Sequence, residues 1–358
     1  MDCCASGQIG EGNIRIHSQK RARYRCTVCN KTFSARVGTL FFRRRTAEQT
    51  ITQVVTLVSH GCPVPAIEVA FELQAQTIRA WLDAAGAQAE AFHHAEVVRP
   101  RDLVQVQADA IHVKTQAGVV WMAMAMMAST RLWLGGAVSA HRDRALIGRL
   151  VALVAACAQL GPLLLVSDGL VTYIDAVRKA FRTRQMGTGG RPRLLGWPDL
   201  AIAQVVKQYA GRAVTGTLHR LVQGSIQVFL TLLWSTPGCQ VLNTAYIERL
   251  NGTFRSRLAV LGRRTRCSAR RAATVARGMY LVGTVYNFCC AHGSLTLKDG
   301  RVQTPAMAAG ITNQVWTVGE LLHDRVPPPQ WEPPRRRGRR SRELQALIDR
   351  WCPLHPLA

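Results

Sequence analysis

Three acidic residues stand out in a chain that is poor in them: Asp109, Asp168 and Glu248. Asp109 closes the alternating run LVQVQA, and Asp168 directly follows the apolar stretch LLLVS, so both are expected at the carboxyl ends of strands, where open sheets place their ligands. Glu248 lies in NTAYIERLNGTFRSRL. On a helix, Tyr246, Ile247, Leu250 and Phe254 would fill the buried side, and Glu248, Asn251 and Arg255 would share another face. Two aspartates and a glutamate at one end of a sheet make an all-oxygen site suited to Mg2+ or Mn2+. Ions held in this way activate an attacking water or 3′-hydroxyl and stabilise the departing 3′ oxygen of a phosphodiester. Each acid also has an ordinary structural reading. Asp168, standing before Gly169, could cap a helix or close a turn, and Glu248 could pair with Arg249 or Arg255. Asp102, Asp143, Asp175 and Asp199 are rival acids, of which Asp175 and Asp199 end no apolar strand.

The elements that must position these acids are legible from periodicity. From Arg101 the texture turns to alternating and then continuous apolar runs: Leu103 to Asp109, Val119 to Met127 and Leu132 to Val138 read as strands of one antiparallel meander. Arg144 to Ala158 reads as a helix with Leu146, Ile147, Leu150, Leu153 and Val154 on one side. LLLVSDG is a buried strand, Val171 to Phe181 the helix after it, Ile202 to Tyr209 a further strand, and Asn243 to Leu258 the helix that bears Glu248. Strands first, then alternation of helix and strand, predict an α/β fold with a mixed sheet flanked by helices. Arg182 to Trp197, rich in Arg, Gly and Pro, reads as a basic loop, with Arg191 a candidate DNA contact. Met122, Met124, Met126 and Met127 read as core filling, and Cys289 and Cys290 as a buried structural pair.

Two smaller segments precede this core. RYRCTVCNKTF places a Cys26-x-x-Cys29 turn between aromatic and apolar flanks, and the segment looks like a zinc-ribbon hairpin. Its upstream partners would be the adjacent Cys3 and Cys4, or His17 could contribute, or the hairpin could be metal-free. Between Thr46 and Phe92 three helical patterns follow one another: Ile51, Val54, Val55 and Val58; then Ile67, Val69 and Ala70 after Pro65; then Ile78, Trp81 and Leu82. This spacing predicts a helix-turn-helix module or an ordinary small helical bundle. In the first case Gln74 to Leu82 is the recognition helix, with Gln76, Thr77 and Arg79 turned to DNA and Trp81 inward. Glu72 stands where a glycine often makes the turn.

Composition points the same way. Lys and Arg number 46 against 21 Asp and Glu, a formal charge of +25 that favours a polyanionic partner, nucleic acid first, over a generally basic surface. The tail from Pro327 to Arg342, PPPQWEPPRRRGRRSR, is expected to be extended, with Arg335, Arg336, Arg337, Arg339 and Arg340 touching phosphates regardless of sequence. Eleven cysteines without an apolar leader suggest the reducing cytoplasm, and no run reaches the roughly 20 unbroken apolar residues that a bilayer demands. The expected division is residues 1–45, 46–98, 99–300 and 301–358.

The order of these features resembles that of bacterial insertion-sequence transposases with a DDE active site. The similarity runs from Gly12 to about Pro334, and QVQAD, SDG and YIERLN are its most specific segments. It implies a ribonuclease-H-like catalytic fold, in which the first Asp lies on the first strand, the second after the fourth and the Glu on a later helix, matching Asp109, Asp168 and Glu248. It further implies Mg2+-dependent cleavage and strand transfer without a covalent enzyme intermediate. The expected partner is double-stranded DNA, as terminal inverted repeats and as target, bound by a homo-oligomer associated with the bacterial nucleoid. A DNA-binding protein without catalysis, either a decayed transposase or a regulator, is the alternative, and a metal nuclease without joining activity is a third. For the ribbon, metal analysis of the purified chain is expected to find zinc that is lost on Cys26→Ser; unmutated protein without zinc would remove that assignment.

Overall fold

A computed structural model describes residues 14–27, 30–185, 193–211, 213–238, 240–262, 269, 271–326, 341–342 and 345–346. The chain divides into two compact units, Met1–Val37 with Arg325–Ala358, and Gly38–Asp324. In the first, β1 (Ile14–Ser18), β2 (Arg23–Cys26) and β3 (Thr32–Ser34) form an antiparallel sheet. The rings of Tyr24 and Phe33, opposite one another on β2 and β3, stack at 5.9 Å. The β2–β3 turn is tight: Asn30, at φ 59°, donates its backbone N–H to the Cys26 carbonyl (2.9 Å), and Cys26 donates to Lys31 (3.0 Å). Cys26 is buried there. Cys3, Cys4 and Cys29 lie outside the described residues, as do Arg335, Arg336, Arg337, Arg339 and Arg340.

The larger unit opens with α1 (Glu48–Ser59), α2 (Val64–Phe71) and α3 (Ala75–Glu96). Ile51, Val54 and Val55 bury the inner face of α1, as their spacing requires. Pro65 sits in the first turn of α2, where its missing N–H leaves no partner wanting. Glu72 ends α2 in the left-handed conformation at φ 52°, where glycine is the usual occupant. The third helix departs from expectation: it does not stop near Leu82 but runs for 22 residues, burying Trp81, Ala85, Gly86, Ala89, Phe92 and His93. Nothing between Leu82 and Glu96 breaks it, and its Gly86 is where a neighbouring backbone comes close. A Cβ there would lie 2.6 Å from the carbonyl oxygen of Arg277 on α8 (Ala272–Cys289). Arg277 also pairs with Glu90, so α3 and α8 are packed and charge-matched. The segments expected as separate modules at 46–98 and 99–300 therefore share one compact unit.

Its sheet has six strands in the order β11-β10-β7-β4-β5-β6. These are β4 (Val104–Thr115), β5 (Gly118–Met127), β6 (Trp133–Ser139), β7 (Leu163–Asp168), β10 (Leu200–Ala210) and β11 (Ala213–Gln223). β4, β7 and β10 are mutually parallel, and β5, β6 and β11 join antiparallel, so the sheet is mixed. α4 (Arg144–Cys157) carries the chain from β6 to β7, and α5 (Val171–Ala180) leads on from β7. Adjacent β6 residues show which helices lie on which side. A Cβ on Gly135 would meet Leu153 of α4, whereas one on Gly136 would meet Met279 of α8. Met122, Met124 and Met126 fill the α8 side together with Trp133, Ile247, Leu250 and Phe254. Leu232 and Leu233 of α6 (Ile226–Ser235) cover Leu164, Val166, Ala201 and Ala203 on the same side. α7 (Ala245–Arg257) completes that layer, and α9 (Pro305–Ala308) and α10 (Val318–His323) close the unit. Among the described residues no helix is long and apolar enough to cross a membrane.

The basic segment 182–197 is not simply a loop. β8 (Arg182–Gln185) and β9 (Arg193–Gly196) pair as an antiparallel ribbon, so the backbone polar groups at its base are satisfied by a ladder. The Phe181 ring packs edge-on against Trp197 (4.9 Å) and fixes that base. Arg191 lies outside the described residues. The close approach of α8 to β6 supplies a test. A Cβ on Gly283 would lie 2.2 Å from the Trp133 ring, so Gly283→Ala is expected to cost about 1–3 kcal/mol through overpacking. Glu72→Gly, which relieves a left-handed residue, is expected to be neutral or stabilising by up to about 1 kcal/mol. Urea unfolding midpoints distinguish the two, and an unchanged midpoint for Gly283→Ala would contradict the packing described.

Candidate active site

The register of three parallel strands sets two acids side by side. Ala108 of β4 pairs with Ser167 of β7, and Asp168 pairs with Val205 of β10, so Asp109, Asp168 and Val205 stand level across the sheet. Asp168 is the last residue of β7, as its sequence setting suggested. Asp109 is not at a strand end: β4 continues to Thr115 as the first arm of the hairpin with β5. What ends at Asp109 is its pairing with β7. The pleat turns alternate residues to one side, so Gln107, Asp109 and Ile111 share the face covered by α7.

Gln107 ties that helix down. Its Oε1 accepts the Ile247 backbone N–H (3.0 Å) and its Nε2 donates to the Asn243 carbonyl (2.9 Å), satisfying the amino-terminal turn of α7 from the sheet. Ile247, Leu250 and Phe254 enter the core on the expected face, and Tyr246 lies half-buried under the guanidinium of Arg131 at 3.4 Å. Glu248 falls in the first turn, where a negative charge suits the helix dipole. Its Oε1 accepts from Thr244 Oγ1 (2.9 Å) and from Lys207 Nζ (2.7 Å). Lys207, on β10 two residues beyond Val205, shares the face of Val205, and this is its partner rather than Arg249 or Arg255. One turn along, Asn251 is buried, and its Nδ2 donates to Asp109 Oδ2 at 2.7 Å.

Of the structural readings open to it, Asp168 takes the turn and not the helix cap. Its Oδ1 accepts the Leu170 backbone N–H (3.2 Å), closing the turn into α5, while its Oδ2 pairs with the guanidinium of Arg142. Arg142 in turn lies over the Trp121 ring at 5.2 Å. Burial holds the Asp109 carboxyl above the usual carboxylate range; the charges of Asp168 and Glu248 push it the same way, against the Ala110 N–H (2.7 Å) and Arg142. The hydrogen bond to Glu248 raises the Lys207 ammonium. Tyr173, wholly buried on α5, is pushed well above the ordinary phenol range by burial and then by Asp168 and Asp109.

This arrangement fits an oxygen-binding divalent ion in chemistry though not in present conformation. Among the described residues no three His, Cys, Asp or Glu side chains converge as ligands; each acid is turned to its own donor, Asn251, Arg142 or Lys207. The charges of Asp168 and Glu248 nonetheless both act on Asp109, a repulsion that a cation relieves. Among the described residues, two buried polar atoms beside them, Asn251 Oδ1 and the Tyr173 hydroxyl, have no hydrogen-bond partner. Asp109, Asp168 and Glu248 are the residues that would hold the ion. The rival acids are engaged otherwise or stand outside: Asp143 caps α4 through the Leu146 N–H (2.9 Å), Asp102 accepts from Val104 (3.1 Å), Asp175 lies 3.7 Å from Arg144, and Asp199 is exposed.

The remaining sequence candidates fall elsewhere. Gln76 and Arg79 are exposed and Thr77 half-buried at the start of α3, and Arg255 is half-buried in the last turn of α7. Cys289 is pushed up to about 12 by burial, which makes it a poor nucleophile, and Cys290 accepts from Arg257 (3.0 Å). Sequence reading passed over Arg142, Lys207 and Gln107. Only Lys207 left a signal, a charged residue continuing the alternation of an apolar strand. No protein-family model and no curated protein matches the chain.

The Asp109 shift gives a pH dependence. A carboxyl whose folded pKa is raised favours the native state while protonated, and that stability is lost as pH rises through the folded value. Asp109→Asn removes this loss. The melting temperature of the variant relative to the unmutated protein is therefore expected to climb as pH rises from the ordinary carboxylate range, about pH 4, through the raised folded value of Asp109 in metal-free buffer. A flat or falling difference would overturn the electrostatic description of the site.

Proposed function

We propose that the chain is a DDE-type transposase that binds the ends of a mobile DNA element and catalyses metal-dependent phosphodiester cleavage and strand transfer. The observation that carries the reading is the placement of Asp109 and Asp168 level on the neighbouring strands β4 and β7, with Glu248 presented by α7 and the charges of Asp168 and Glu248 both acting on Asp109. The strand order and the sense of the pairs are compatible with a ribonuclease-H-like core. A bound Mg2+ or Mn2+ would supply activation of the attacking hydroxyl and stabilisation of the departing 3′ oxygen.

The protein's own residues do the rest. Asp109 and Asp168 are fixed by the sheet, so their spacing follows from strand register rather than from loop conformation. Asn251 aligns the Asp109 carboxylate, and Gln107 anchors the helix that presents Glu248. A net charge of +25 draws the DNA backbone. Recognition of the element's ends belongs in this reading to the amino-terminal β-sheet, as a zinc ribbon with Cys3, Cys4, Cys26 and Cys29, and to Gln76, Thr77 and Arg79 on α3, as a helix-turn-helix. Arg191, Arg255 and the arginines at 335–340 would contact phosphates.

A second reading, a DNA-binding protein without catalysis, draws support from the ion pairs Asp168–Arg142 and Glu248–Lys207, which give two of the acids a structural task. The two readings part on one experiment. Incubated with Mg2+ and a DNA fragment ending in its element's inverted repeat, the purified protein is expected to nick and join the DNA. Asp168→Asn should lower the rate by at least about a thousandfold while sparing DNA binding. Full activity in that variant would dismiss the site, and inactivity of the unmutated protein with binding intact would favour the second reading.

A further inference from the structure

We propose that Arg142 and Lys207 are phosphodiester-binding cations of this site, held against its carboxylates until a divalent ion takes their place. The proposal rests on the metal-dependent reading above and adds to it the identity of two residues and a coupling between metal and DNA.

Each acid of the site already has a donor. Arg142 holds Asp168, Lys207 holds Glu248 at 2.7 Å, and Asn251 holds Asp109 at 2.7 Å. The pairing explains why the acids do not converge as ligands among the described residues. It also limits what can happen when a divalent ion binds. An ion shared by Asp168 and Glu248 would place two positive charges next to a guanidinium and an ammonium, and the cations must then turn away. Both can do so. The Lys207 and Glu248 side chains are 41% and 45% exposed, and those of Arg142 and Asp168 24% and 34%, so neither pair is sealed from water. Asn251 differs: it is 2% exposed, neutral and packed in the core, so it stays as a positioning residue for Asp109.

Once released, the two cations are uncompensated at the mouth of the acid cluster, and the ligand class they suit is an anion that approaches the same end of the sheet. A phosphodiester fits on chemistry. The planar guanidinium of Arg142 matches two phosphate oxygens at once, and the Trp121 ring it lies over is a surface on which it can stay near the site after turning from its carboxylate partner. Lys207 stands on β10 beyond Val205, the last residue paired with β7, where the strand has left the shelter of the sheet centre. Its ammonium is a mobile point charge suited to a backbone phosphate. Metal and DNA are then linked: the ion frees the cations that DNA needs, and by reciprocity DNA raises the affinity for the ion.

The test is Mn2+ titration of the full chain by calorimetry, without DNA, followed by duplex binding over a range of salt. Lys207→Gln and Arg142→Gln are each expected to bind Mn2+ about three to ten times more tightly than the unmutated protein, since a competing, partly exposed cation is gone. Lys207→Arg should bind it as the unmutated protein does. With Mn2+ present, Lys207→Gln should bind duplex DNA more weakly, with a slope of log affinity against log salt smaller by about 1; without Mn2+ the slope should not change. Unchanged Mn2+ affinity in both glutamine variants, with binding still abolished by Asp168→Asn, would overturn the exchange and leave the metal site standing. Mn2+ binding that survives Asp168→Asn would remove the metal site itself, and this proposal with it.

Discussion

Two carboxylates level with one another on neighbouring parallel strands constrain everything built around them. The pairing of Ala108 with Ser167 puts Asp109 beside Asp168, and neither strand can slip without turning its apolar residues to the wrong face. Like charges so placed in a partly buried setting must be compensated or protonated. The chain compensates from three directions at once: Arg142 from the segment before α4, Asn251 and the Ala110 N–H around Asp109, and Lys207 drawing Glu248 to the edge. Remove the register and these partners have nothing to meet.

Rigidity behind the acids comes from the way α7 and α8 are attached. Gln107 grips the start of α7 with both ends of its amide. Asn287 of α8 does the same to β6, accepting the Trp133 N–H (2.9 Å) and donating to the Trp133 carbonyl (2.8 Å). In both cases a buried side-chain amide stands in for a missing strand or helix neighbour, which is costly to leave half-satisfied and therefore specific. His93 on α3 adds a third such contact: burial lowers its pKa to about 3, so it is neutral and donates from Nε2 to the Leu134 carbonyl (3.0 Å). The helical layer and the sheet are thereby one packed body within residues 38–324, and the acids lie on a firm base while their cationic partners remain at the rim.

Periodicity made much of this legible. β5, β6, β7, α4, α5 and α7 each carry an apolar face or run with a clear end, and each forms where its pattern predicts. α8 escaped because residues 279–288 are buried on every side, which leaves no polar stripe for a 3.6-residue period to reveal. The length of α3 escaped because its later part is rich in alanine and gets its partner, α8, from far along the chain. β11 is mostly exposed and is strand only because β10 pairs with it. The ribbon β8–β9 escaped for the same reason: its four residues per strand, exposed except for the half-buried Thr183, have no face to bury, and pairing alone makes them strand.

The candidate site divides along the same line. By itself the sequence determined that Asp168 ends a buried strand, that Asp109 lies on an apolar-alternating one, and that Glu248 and Asn251 share a helix face, because each follows from a local period of two or 3.6 residues. Tertiary structure alone decided that β4 runs on past Asp109, that Asp109 stands beside Asp168, and that Arg142, Lys207 and Asn251 are the groups that meet the acids. Strand order and register bring those residues together across long stretches of chain, and a local pattern that states which face is buried contains nothing about what the other elements will place opposite it.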